Sequence, residues 1–454
     1  MSNSAISKRK LGSVMELQRG FDLPANQRNT GDIPVISSSG ISGFHDAYKC
    51  DGPNVITGRY GTIGEVYFYE GKCWPLNTAL FVKDFKGNNP KYISYALQNA
   101  LSAYRVNGKD KSTVPGIDRK VIHQIIIPFH EDISYQKTVS HTLECLEKKI
   151  KTNTLICNEL ESLAKMLYDY WFVQFDFPDA NGKPYRASGG EMVWNEHLKR
   201  EIPKEWEVGT LDDMGSIVSG GTPTTTNETY YTDKGIAWIT PNDLSGKEHL
   251  MFVSHGERDI TFEGLNNSSA VLMPNQSVLF SSRAPIGYIA ISTNEICTNQ
   301  GFKSIVPNKG YGAYFIYYTI KRNSHAIAKQ GVGTTFKEVS GDTLKKFRVA
   351  LPPKHIASAF EIQLYAFFER RKLLEQESRE LTYLRDWLLP MLMNGQAKVE
   401  PADTTPHLCV LKLENPARDP RFERWLQTQG VAARGNVDEQ TLHDIFDAMD
   451  DDDK

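Results

Sequence analysis

The sequence predicts an α/β protein made of two duplicated α/β units. Each unit is built on a twisted sheet, and the two are separated by two long antiparallel helices forming a coiled coil. Three observations carry this expectation. Landmark residues recur in one order at nearly constant offset: Gly64 and Gly287, Asn77 and Asn299, and Pro128 and Pro352 lie 222 to 224 positions apart. A repeat of that length marks a duplication. Each half closes on a seven-residue apolar repeat, the mark of a coiled coil. The remainder of each half alternates short β-type runs, turns and amphipathic stretches.

The β-type runs are VYFY (66–69), ALFV (79–82) and IIIP (125–128) in the first half, and VLFS (278–281), YIAIS (288–292) and FRVALP (347–352) in the second. Helical spacing appears in residues 90–104 and 311–328. In the first long helix Val139, Leu146, Asn153, Leu160 and Leu167 form one row, and Leu143, Ile150, Cys157, Ala164 and Trp171 the other. In the second, Phe360, Phe367, Leu374, Leu381 and Leu388 lie beside Leu364, Arg371, Ser378 and Arg385. Asn153, Arg371 and Arg385 place polar groups in the seams, which costs stability and fixes register and partner. At 1.5 Å per residue such a helix is a strut of roughly 58 Å. If the struts pair antiparallel, the units are expected at opposite ends, near a two-fold axis.

The expected divisions are therefore 1–133 (first unit), 134–173 (central long helix), 174–204 (connector), 205–354 (second unit), 355–394 (distal long helix) and 395–454 (acidic tail). The connector, FPDANGKPYRASGGEM, crowds Gly, Pro, Ser and Asn and reads as exposed. Pro390 and Gly395 read as stop signals for the second strut. The tail reads as one or two short helices with an acidic end, and its final DDDDK leaves open whether that end is native.

Composition narrows the function. Of 454 residues, 40% are hydrophobic and 24% charged, as in a soluble globular protein. No apolar run approaches the roughly 18 residues of a membrane span. The polar start, MSNSAISKRK, lacks a signal peptide's apolar stretch, so a cytoplasmic protein is expected. The six cysteines include no C-x-x-C pair, which argues against zinc and for reduced, packed thiols. Net charge is −3, but residues 395–454 hold 7 Lys+Arg against 13 Asp+Glu, leaving the other 394 residues at +3. DNA binding needs a basic face rather than a basic average.

Two loops resemble each other: VITGRYGTIG at 55–64 and VLFSSRAPIG at 278–287. Neither is a nucleotide cradle, because Glu65 and Tyr288 follow the last glycines where a phosphate loop needs lysine. Both sit between β-type runs, as a hairpin or loop rim. There is no N/D-P-P-Y/F methyltransferase motif, no D/E-x-K at a sensible distance from Pro178-Asp179, and no H-E-x-x-H. No catalytic residue and no metal site is expected. What recurs is equipment for a polyanion. Arg59 and Arg283 can reach a phosphate or a guanine edge, although Arg59 precedes its glycine by five residues and Arg283 by four. Arg105, Lys109, Lys111, Ser112 and Thr113 form a second basic loop, matched by Lys329, Thr334, Thr335 and Lys337. Cations beside small hydroxyl residues in glycine-rich loops suit phosphate contacts.

Several stretches resemble the specificity (S) subunit of type I restriction–modification systems: LGSVMELQRGFDLP, RYGTIGEVYFYEGKCWPLNTALFVKDF, STVPGIDRKVIHQIIIP, WFVQFDFPDANGKPYRASGGEMVWN, IPKEWEVGTLDDMGSIVSGGTP and LLPMLMNGQ. The resemblance covers roughly residues 11 to 396. It implies two target recognition domains, each reading one half of a split DNA sequence, with the helices setting the unread gap. It implies two modification (M) subunits as partners, carrying adenine methyltransferase chemistry with S-adenosylmethionine, and restriction (R) subunits using ATP and Mg. The S subunit itself has no activity and no cofactor. Base-edge contacts are expected from residues the repeat does not share: Asn26, Gln27, Arg28 and Asn29 in the first unit, and Thr224, Asn227, Tyr230 and Tyr231 in the second. The alternative from another class is a structural coiled-coil adaptor whose globular ends bind protein.

Overall fold

The repeat in the sequence is a repeat of strand order. The computed structural model describes residues 6–59, 64–106, 117–247, 249–283, 285–333, 337–401 and 409–413. In the first unit, strands Glu16–Arg19, Ala79–Asp84, Pro53–Gly58 and Val66–Glu70 lie side by side in that order, all antiparallel. In the second, Ser216–Ser219, Lys303–Val306, Val278–Phe280 and Ile289–Ser292 repeat the order and the directions. A fifth strand, Phe252–Val253, adds in parallel to Ile289–Ser292. Each unit also carries a smaller sheet with a parallel pair, Ile33–Ser37 on Trp74–Pro75 and Ile236–Ile239 on Ile296–Thr298. A two-stranded ladder ties the start of each unit to its end: Ile6–Lys10 with Ile126–His130, and Glu207–Thr210 with Arg348–Leu351.

Backbone hydrogen bonds fix the correspondence residue by residue. Leu11 N donates to Ile125 O (2.9 Å), and Leu211 N to Phe347 O (3.0 Å). Gly20 N donates to Ala79 O (3.1 Å), and Gly220 N to Phe302 O (3.3 Å). The offset is thus 200 up to Gly220 and 222 to 223 beyond Val278. The additional residues of the second unit lie between those points, where the strand Phe252–Val253 and the short helices Pro241–Leu244 and Phe262–Asn266 occur. Gly20 and Gly220 share one reason for being glycine. A Cβ at either would fall onto a backbone carbonyl oxygen, that of Leu76 or of Asn299.

The amphipathic stretches form helices Pro90–Val106 and Ala313–Lys329. Tyr92, Ile93, Leu97 and Leu101 on one, and Phe315, Ile316 and Ile320 on the other, are buried in the unit cores. Their N-termini are satisfied differently. Asn89 caps the first, its Oδ1 accepting from Tyr92 N (2.9 Å). The second begins after Gly312, and Glu361 supplies the acceptor instead, taking Phe315 N at 2.7 Å. A Cβ on Gly312 would collide with that carboxylate.

The long helices run Ile133–Tyr168, prolonged by a π-helical turn at Asp169–Val173, and Lys354–Met393. By compactness the chain divides into residues 1–150 with 380–454, and residues 151–379. Each unit therefore takes one end of each helix. In the first unit Val139, Leu143 and Leu146 share a core with Leu381, Leu388 and Leu392. In the second, Asn153 Nδ2 donates to Glu377 Oε2 (2.7 Å), Glu161 pairs with Arg371, and Trp171 meets Phe360. Ascending numbers meet descending ones, so the helices are antiparallel. Asn153 and Arg371 are buried in the seam, whereas Arg385 turns partly outward to Asp386 (2.7 Å).

Three expectations are corrected. Pro390 lies inside the second long helix, which continues to Met393. The backbone bond a proline cannot donate falls opposite exposed Asp386, where water can satisfy the carbonyl. Gly395, with φ +71, makes the actual stop. The connector is not simply an exposed tether. Phe175 and Phe177 are buried against Trp206, and Met192–Asn195 pairs with Arg200–Pro203 as a hairpin. The start of the tail is extended: Ala397–Pro401 pairs antiparallel with Cys409–Leu413. The segment read as short helices lies outside the described residues.

Candidate nucleic-acid interface

In the first unit Arg59, the residue that follows Pro53–Gly58, brings three sequence motifs together. Arg59 N donates to Thr78 O (3.0 Å), within WPLNTAL, and Arg59 O accepts from Ile117 N (3.0 Å), within STVPGID. A single residue thus ties the glycine loop to both other stretches. Its side chain lines a cleft of about 400 Å³ with Gln18, Arg19, Leu80, Asp118 and Arg119. Arg19 sits across the strand pair from Leu80 and donates from Nε to Asn77 O (3.3 Å). Asp118 caps the short helix Arg119–Gln124, its Oδ1 accepting from Lys120 N (2.7 Å). Arg19 and Arg119 went unnoticed in the sequence. Arg19 needed the offset of 200, which the later landmarks conceal, and Arg119 needed the register of the helix start.

The second unit repeats this backbone with other side chains. Ser282 N donates to Gly301 O (2.7 Å), and Ser282 O accepts from Val339 N (2.9 Å). The structural counterpart of Arg59 is therefore Ser282, fully buried, and not Arg283. That explains the one-residue shift of the arginine against its glycine. Arg283 follows, exposed, and its Nε pairs with Glu338 Oε2 at 2.9 Å. Glu338 also faces Lys303 Nζ at 3.9 Å. Lys303 is the counterpart of Leu80, opposite Ser219 as Leu80 is opposite Arg19. Burial, partly offset by Glu338, holds the Lys303 ammonium below its ordinary pKa.

The other expected phosphate contacts divide. Arg105 lies in the last turn of Pro90–Val106, with its side chain outside the description, and Lys109, Lys111, Ser112, Thr113, Thr334 and Thr335 lie outside the described residues. Lys329 ends the helix Ala313–Lys329, exposed, and Lys337 is exposed beside Glu338.

Of the expected base readers, Asn26 and Gln27 are exposed on a single 3₁₀ turn, Ala25–Gln27. Arg28 donates from Nη1 to Ser42 O (2.9 Å), and Asn29 from Nδ2 to Asp46 Oδ2 (3.0 Å), so both brace the hairpin Ile33–His45. In the second unit Thr224 is exposed and Tyr230 half-buried. Asn227 Oδ1 caps the turn Glu228–Tyr230 by accepting from Thr229 N (3.1 Å). Tyr231 is turned inward: it packs edge-on against Trp238, its hydroxyl donates to Pro223 O (2.7 Å), and Arg258 covers its ring at 4.2 Å. As an aromatic with a satisfied hydroxyl it belongs to the core, and Arg258 is the cation left at that surface.

Among the described residues no group of three His, Cys, Asp or Glu could hold a metal ion. Among the same residues no helix is long and apolar enough to cross a membrane.

A twice-used α/β unit, each copy followed by a long helix, defines a duplicated α/β scaffold. A family model described as the type I restriction modification DNA specificity domain matches residues 3–162 and 203–381, one copy for each unit with its helix. These matches span well over half of the chain, which therefore belongs to that family. The chain is 34% identical over 203 residues to the MjaIX specificity subunit of Methanocaldococcus jannaschii, a stretch covering 44% of this chain and 46% of that relative. It is 25% identical over 314 residues to the HindI specificity subunit of Haemophilus influenzae, covering 58% of this chain and 68% of that protein. Among solved structures, the S subunit of a type I system from M. genitalium superposes with a TM-score of 0.55 at 14% identity, over 87% of this chain and 97% of its own. That likeness is one of fold.

Proposed function

We propose that this chain is the DNA sequence-specificity subunit of a type I restriction–modification system, a scaffold with no catalysis of its own. Each unit reads one half of a bipartite duplex target. The long helices set the gap, and modification and restriction subunits assemble on the chain, bringing S-adenosylmethionine, ATP and Mg with them. One observation carries the reading. The two units keep one strand order and one set of backbone hydrogen bonds while changing the side chains those bonds present, as Arg59 against Ser282 and Leu80 against Lys303. A shared frame with different surfaces suits two docking events of one kind on two different half-sites.

Within that reading the exposed Asn26 and Gln27 in the first unit, and Thr224, Tyr230 and Arg258 in the second, are the groups best placed to meet base edges. Basic residues on the loops anchor the backbone. The long helices support the assembly role. In residues 151–379 they expose Leu155 (56%), Leu163 (47%), Met166 (59%), Ile362 (73%), Tyr365 (59%) and Leu373 (58%), more apolar surface than a solvated helix face needs.

Exchanging residues 11–128 for the first unit of another such subunit tests the reading. Methylation directed by the hybrid, with its modification subunit, should change in one half-site and keep the other. A change in both halves, or in neither, contradicts it.

A further inference from the structure

We propose that Arg19, Arg59 and Arg119 of the first unit clamp one backbone phosphate of the bound duplex, and that the matching cleft of the second unit is closed by its own carboxylate. This rests on the function proposed above and assigns part of it to a site.

The composition of the first cleft suits a phosphate. The described lining of the first cleft holds three guanidinium groups and one carboxylate, Asp118, whose Oδ1 already accepts a backbone N–H. Among the described residues Arg19 has only a carbonyl partner, at 3.3 Å, and Arg19 and Arg119 are both exposed. Guanidinium donors converging on a cleft open to water match the oxygens of a phosphate, which accepts two parallel N–H bonds from one arginine. The three come from separate segments: a strand end, a hairpin loop and a helix start. The sheet and the two hydrogen bonds of the Arg59 backbone hold those segments together. The site is thus built before any ligand arrives.

The second unit provides an internal control. At the same positions the second unit carries Ser219, Ser282 and Gly341, and Lys303 in place of Leu80. There Glu338 lies between Lys303 and Arg283 and neutralises the cations. The residue matching Glu338 in the sequence of the first unit is Gly116, which brings no charge. One copy of the fold therefore holds Arg19 and Arg119 at exposed positions, and the other turns its cations onto an internal anion.

The test measures affinity of the chain assembled with its modification subunits for two duplexes of equal length, one carrying the methylated target and one unrelated, across a salt series. The double variant Arg19→Ala/Arg119→Ala should lose affinity on both duplexes by a similar factor, on the order of tenfold, and the slope of log K against log salt should fall by about 0.9, the signature of one phosphate contact. Both side chains are exposed, so an unchanged circular dichroism spectrum and an unchanged yield of the complex are expected and are checked alongside. Glu338→Gln, in the second cleft, should leave the slope unchanged or raise it. An unaltered slope in the double variant overturns the clamp while leaving the function standing. So does a loss confined to the target duplex, which would make the arginines base readers. Absence of any binding by the unaltered complex would overturn both.

Discussion

Arg371 offers the sharpest test of how the long helices are held in register. It is 3% exposed in the seam of the second unit, and every face of its guanidinium is used. Nε donates to Glu375 Oε1 (2.7 Å), Nη2 to His249 O (2.7 Å), and Nη1 meets Glu161 of the opposing helix. Glu375, also buried, accepts Met251 N (3.0 Å) and Phe252 N (3.0 Å), and so binds the edge strand of the five-stranded sheet to the helix. Burial alone would lower the pKa of Arg371, but Glu375 and Glu161 more than offset it and raise it. Arg371→Ala removes the only cation touching Glu375 among these contacts. Breaking a buried pair from one side costs about 3–5 kcal/mol, because the remaining charge stays desolvated. With an m-value of about 3 kcal/mol/M, the urea midpoint of the second unit should fall by about 1–2 M. The assay is equilibrium unfolding followed by tryptophan fluorescence, fitted with a transition for each unit. Glu375→Gln added to the variant keeps an acceptor for the two amides and removes the stranded charge, so it should recover part of the loss. A midpoint shift below about 0.3 M for Arg371→Ala would refute the claim that this network carries the seam.

Two further outcomes follow from single contacts. Burial raises the Glu361 pKa to about 7, opposed by hydrogen bonds from the Phe315 and Tyr314 amides, against an ordinary 4.5. The folded state then binds the proton more tightly. The contribution is fully present below about pH 4.5 and is lost as pH rises through 7, by up to about 3 kcal/mol. Glu361→Gln should flatten that part of the stability–pH profile, and an identical profile in wild type and variant counts against the shift. Gly20→Ala and Gly220→Ala each drive a Cβ onto a carbonyl oxygen and should cost about 1–3 kcal/mol. Gly20→Ala should act on the transition of the first unit and Gly220→Ala on that of the second, so a shift of the same transition by both would break the structural equivalence.

Much of this architecture was legible in the sequence because it depends on periodicity. The β-type runs 66–69, 79–82 and 278–281 fall within or against observed strands, and the heptad rows fall on the buried faces of both long helices. What escaped reading depends on three-dimensional register. The first third of the repeat is offset by 200 rather than 223, and few of its residues match beyond Leu11 with Leu211 and Gly20 with Gly220. Arg19 therefore stayed hidden, and Arg283 was matched to Arg59 when the backbone matches Ser282. Pro390 reads as a terminator because propensity is local, but its helix is held by packing of Leu388, Leu389 and Leu392 in the core. Tyr231 looked like a surface aromatic in a polar loop. Its partner Trp238 lies on the next strand, and that pairing follows from topology rather than from spacing.

The central claim is that two units of one fold read two different halves of a split target. Mapping methylated adenines in DNA from cells that express this chain with its modification subunit tests it most directly. The account predicts one bipartite motif with two unlike halves at a constant gap, lost when the chain is omitted. A continuous motif, a gap that varies from site to site, or the same methylation without the chain would contradict it.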